Sequence, residues 1–189
     1  MPRNGEKDSP VLSGRVRSAR WLAASVLAAA GGSLVARATE WRGFETDVSA
    51  RAIHLVTGQT TIAVPAHHLL ILYKSTSVQS IFTLTSECSV AYLVAALLIG
   101  TAPLMLLRKL SPARTAAAVT VTATILILVN MARLTAIGAT VSTWGRDPGL
   151  AIAHTYLGSL LTVVGTCAAG VAFVAVLVYR RDPHRGAVG

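Results

Sequence analysis

Three residues in this sequence could do covalent chemistry together: Cys88, Arg133 and His154. A thiol, a guanidinium and an imidazole are the parts needed for thiol-based acyl transfer. The thiolate attacks a carbonyl carbon. The imidazole carries the proton to and from the reacting atoms. The guanidinium holds the negative oxygen of the tetrahedral intermediate. Asn130, three residues before Arg133, is a candidate support. Glu87, beside the thiol, would oppose thiolate formation unless it pairs with Arg133 or His154.

Each side chain also has an ordinary reading. A free cysteine is commonly a small buried hydrophobe, an arginine at a helix end often snorkels to lipid headgroups, and a histidine at a helix start can sit at the interface. What joins the three is the elements that carry them. Residues 21–36, 89–107, 115–132 and 155–179 are uncharged runs long enough to serve as membrane spans. Cys88 stands where the second run begins, Arg133 where the third ends and His154 where the fourth begins, so the three fall at one depth of the bilayer.

The totals support lipid as the solvent. Of the 189 residues 53% are hydrophobic and only 13% charged, about half the charged share of soluble domains. A chain this short and apolar cannot cover its own hydrophobic surface. The net charge of +9 would suggest nucleic acid in a soluble protein. Here the basic residues gather in the 1–20 tail, the 108–114 turn and the 180–189 tail, the pattern that sets membrane orientation. Stacking aromatics are sparse as well, at 5%. Nucleic acid is therefore not an expected partner, and membrane lipid is.

The expected fold is all-α and membrane-embedded, with about four transmembrane helices and a small extracytoplasmic subdomain over residues 37–87. The basic segments place both tails in the cytoplasm, and 37–87 and the 135–153 loop outside. Within 37–87, Ile53 to Val64 reads as two short strands around Gly58 and Gln59, ended by Pro65. His68–Tyr73 and Val78–Leu84 are further strand candidates. Ala36-Arg37-Ala38 after a basic start also resembles a signal-peptide cleavage site.

The remaining reactive residues read as structural. Cys167 lies about 18 Å into the fourth run at ~1.5 Å per residue, too deep to pair with Cys88, and is expected to pack. His67 and His68 read as a solvated turn, His54 as a strand-face residue and His184 as part of a tail. No CxxC or Cys/His spacing suggests zinc or a dithiol centre, so no metal and no cofactor is implied.

Glu87-Cys88-Ser89 opening a span, Asn130-Met131-Ala132-Arg133-Leu134 closing the next, and His154 followed by Gly158 opening the last resemble, in that order, the exosortase/archaeosortase family of membrane-embedded cysteine transpeptidases. The resemblance covers roughly residues 50 to 175. One departure is Val90, where the family often has glycine two residues after the cysteine. The resemblance implies a cysteine protease/transpeptidase of the cell membrane, with Cys88 as nucleophile, His154 as general acid/base and Arg133 orienting substrate or stabilising the oxyanion. The implied substrates are secreted proteins ending in a short motif, an apolar span and a basic tail. They would be cut at the outer face and passed to an amine or lipid acceptor. The rival expectation is a non-enzymatic scaffold or assembly factor that pairs through Gly158, Gly165 and Gly170. A transporter fragment with Arg133 lining a path is a third.

Overall fold

The computed structural model describes residues 10–74, 77–108, 110–145, 147, 149 and 151–178, with side chains from residue 17 onward except those of 151, 154 and 155. The elements run α1 (Pro10–Ala36), α2 (Ala38–Thr57), β1 (Thr61–Val64), a 3-10 turn (Pro65–His67), β2 (Leu69–Lys74), β3 (Ser77–Thr83), a 3-10 turn (Ser86–Cys88), α3 (Ala91–Leu107), α4 (Pro112–Trp144), a π-helical segment (Ala151–Gly158) and α5 (Ser159–Val178). The protein is a membrane-embedded helical fold carrying one small sheet. Among the described residues three helices are long and apolar enough to cross a bilayer, at Arg17–Ala36, Pro112–Trp144 and Tyr156–Val178. The apolar α3 has 17 residues, the lower limit of a span.

The helices pack in pairs, α1 on α3 and α4 on α5, with α2 laid across α4 and β1. Three strands form an antiparallel sheet in the order β1-β2-β3. Leu70 of β2 faces Phe82 of β3, and Leu72 faces Ser80. Leu70, Leu72 and Leu84 from this sheet meet Ala50 and Ile53 of α2, Leu134 of α4 and Cys88 in one buried cluster. The sheet is thereby fixed to the end of α4.

Two expectations are corrected. Residues 53–57 are helical, not a strand, and His54 lies near the end of α2 rather than on a strand face. The buried stripe of α2 is made of Ala38, Gly43, Glu45, Thr46, Ser49, Ala50 and Ile53. Such small and polar residues carry the helical period with little apolar contrast. The helix stops at Gly58, whose φ of 68° and N–H bond to the His54 carbonyl at 2.8 Å close its end. Only the second half of that expected hairpin is a strand, β1, and it does end before Pro65.

The second correction is the loop expected from residue 135, because α4 continues to Trp144. Nothing breaks the helix before Gly145, at φ 81°. The hydroxyls of Thr135, Ser142 and Thr143 bond back to Met131 and Ala139 carbonyls, so these residues are accommodated within the helix. At ~1.5 Å per residue α4 is about 50 Å long, well beyond a ~30 Å hydrocarbon core. Its last turns stand clear of the apolar run and carry the sheet.

Candidate functional site

Cys88 closes the 3-10 turn that links β3 to α3. Its N–H bonds the Thr85 carbonyl at 3.1 Å, and the Thr85 hydroxyl lies 3.6 Å from its sulfur. The residue is only 8% exposed, and its thiol lies in the apolar cluster beneath the sheet. Its carbonyl points the other way, toward α4, and accepts a bond of 3.0 Å from the Asn130 amide.

The same Asn130 amide nitrogen donates to Glu45 Oε1 at 3.1 Å. That oxygen also accepts the Val90 N–H at 3.0 Å, one of the orphan donors at the start of α3. Glu45, on α2, is 1% exposed, and its second oxygen has no hydrogen-bond partner. Burial pushes its carboxyl above the ordinary value of 4.5, and nearby donor groups pull the other way without cancelling it. One buried carboxylate thus ties α2, α3 and α4 together around the residues that flank Cys88.

Arg133 lies one turn beyond Asn130 on α4. With Glu87, Ser89 and Asn130 it borders a cleft of about 460 Å³ that also reaches Tyr92 of α3 and Thr166 of α5. Its Nε is buried without a partner, and a Cβ added at Gly158 would sit 3.1 Å from that nitrogen. Glycine at 158 therefore lets the π-helical segment close on the guanidinium. Glu87 and Arg133 share the cleft without an ion pair; the ion pair among the described residues is Arg51–Asp47, on α2.

The expected trio is gathered in part. Asn130 ties the Cys88 backbone to α4 one turn before Arg133, but the functional groups of Cys88 and Arg133 line different cavities. Arg133 faces the cleft just described, whereas Cys88 lines a groove of about 300 Å³ beside β3. Helix geometry explains the split. On α4, Arg133 and Leu134 fall on opposite sides of Asn130, by about 60° and 40° at 100° per residue. Leu134 packs with the thiol, so the guanidinium is carried round to the far side. His154 belongs to the π-helical segment four residues before Gly158; its side chain lies outside the described residues.

Other expectations resolve simply. Cys167 is free and exposed on α5, so it does not pack in a core. His54 Nδ1 lies 2.8 Å from the Gln59 carbonyl, and His184 lies outside the described residues. His67 and His68 form the turn between β1 and β2, with His68 at a φ of 53°. Among the described residues no three His, Cys, Asp or Glu side chains gather as metal ligands.

Glu45 is the site residue that sequence reasoning missed. Its signal was present: a lone acid one residue before Thr46 in the stripe that continues through Ser49, Ala50 and Ile53. An acid set on the buried face of a helix demands donors from its neighbours. Compared with known proteins, the chain matches no family model, no curated protein and no solved structure.

Proposed function

We propose that this protein is a membrane-embedded cysteine protease/transpeptidase acting on the C-terminal tails of secreted proteins. The observation that carries the reading is the Asn130 amide. It binds the Cys88 carbonyl and Glu45 on one side of α4, one turn from an Arg133 whose Nε has no partner. The thiol and the guanidinium line separate cavities, and the segment bearing His154 closes on Arg133 at Gly158. In this reading α3 is the remaining span, the basic segments lie in the cytoplasm and the site faces outward. Cys88 attacks the scissile carbonyl, Arg133 holds the oxyanion and His154 transfers the proton.

The test is made in cells where Cys88→Ala replaces the native residue. Secreted proteins ending in a motif, an apolar span and a basic tail should keep the tail, while the variant inserts and accumulates normally. Unchanged processing contradicts the reading.

The thiol's apolar surroundings favour a second reading, a scaffold in which Cys88 merely packs. The glycine faces expected to bind partners point partly inward, since a Cβ at Gly165 would overlap Val129, while Gly170 faces open space. That reading makes Cys88, Arg133 and His154 replaceable.

A further inference from the structure

We propose that the groove between β3 and α4 binds an extended segment of the substrate polypeptide as a fourth strand of the sheet, running toward Cys88. The proposal rests on the peptidase reading for the identity of its occupant, and on geometry for the site itself.

The groove is lined by every residue from Ser80 to Thr85. Successive strand side chains point to opposite faces, so a cavity touching Ser80, Ile81, Phe82 and Thr83 in a row follows the edge of β3. The sheet order leaves that edge of β3 without a strand neighbour. The opposite wall is Leu134, Ile137 and Val141, one face of α4 at helical spacing. Gln79 reaches across at one end to the Ser142 carbonyl at 3.1 Å, and Cys88 stands at the other.

The phase of the β2–β3 ladder fixes which backbone groups face the groove. Leu84 N–H donates to the His68 carbonyl at 2.8 Å. Antiparallel pairs alternate between bonded and non-bonded. The Leu70–Phe82 and Leu72–Ser80 pairs are therefore bonded, and Ile81 and Thr83 turn their N–H and C=O groups outward. No backbone bond from outside the sheet reaches those groups among the described residues. A second, independent sign is Ser80: it is 4% exposed, lines the groove, and its hydroxyl has no partner. Backbone donors and acceptors spaced every second residue, opposite an apolar wall, suit one ligand chemistry. It is an extended peptide with small or apolar side chains, recognised chiefly through its main chain. About four residues at ~3.3 Å each run from Ile81 to Leu84.

The probe is acetyl-Ala-Val-Ala-Val amide carrying a benzophenone, added to the full chain in detergent and irradiated. Label should appear on β3 or on α4 between Leu134 and Val141. Ile81→Pro deletes one outward N–H and no ladder bond; it should cut labelling about tenfold, and Ile81→Val should restore it. Probes N-methylated at alternate amides need no protein variant. One alternate set should lose labelling by about tenfold and the other should not. Absence of label at these sites, or equal loss from both methylated sets, overturns the proposal. Iodoacetamide on the unmodified chain reports separately on the thiol. An inert Cys88 with period-two peptide labelling keeps the groove and removes the peptidase; a reactive Cys88 without peptide labelling does the reverse.

Discussion

Replacing Glu45 should unfasten the candidate site. Glu45→Ala removes the acceptor of the Val90 N–H and of one Asn130 bond, both inside the protein. A stranded buried donor costs about 1–3 kcal/mol. Relief of the buried carboxylate offsets part of that, so a net loss of about 2–4 kcal/mol is expected. Glu45→Gln keeps one acceptor oxygen and carries no charge, and should stay within about 1 kcal/mol of wild type. The pH dependence follows from the raised carboxyl. Between 4.5 and the higher folded value, the folded protein holds a proton that the unfolded chain has released. Stability should therefore fall as pH rises through that window, and lowering the pH to 4.5 should recover it. Glu45→Gln should lack this component. The assay is denaturant unfolding of the full chain in micelles, at pH 4 to 7, for all three proteins. An alanine variant as stable as wild type, or a wild-type component that rises with pH and is absent in the glutamine variant, would refute the network.

Two further outcomes follow from the packing. Gly138 lies against Ile53, and a Cβ there would overlap that side chain; Gly138→Ala should cost about 1–3 kcal/mol in the same unfolding assay, with Ile53→Val easing the loss. The imidazole of His68 is held below its ordinary value of 6.5, first by burial and then by Arg42 and His67. Its contribution to stability is complete above 6.5 and lost as pH falls through the depressed value. His68→Asn, which tolerates the left-handed backbone, should remove that acid-side loss.

Much of this fold was legible because lipid imposes simple rules. Uncharged runs and clustered basic residues marked the apolar helices, and β-branched alternation marked β1. What escaped was helix without apolar contrast. In α2 the buried stripe includes Thr46, Ser49 and Ala50, so no apolar run marked it, and in α4 the residues beyond Arg133 read as loop because turn residues cluster from Trp144 to Gly149. Both segments are helical because they pack on each other and on the sheet, where Ile53 meets Gly138. The site was legible as three reactive residues at one depth, and depth along a span says nothing of rotation about it. The 100° step between Arg133 and Leu134 sends the guanidinium into one cavity and leaves the thiol by the other.

The central claim is that Cys88 is a reactive nucleophile open to the outer face. Its most direct measure is the rate at which a membrane-impermeant methanethiosulfonate modifies Cys88 in sealed membranes, in a Cys167→Ser background, with and without Arg133→Gln. Modification of Cys88 from the outer side in both forms is the predicted result, since Arg133 lines a separate cavity. A Cys88 that stays unmodified in the folded protein, or is modified only from the cytoplasmic side, would contradict it.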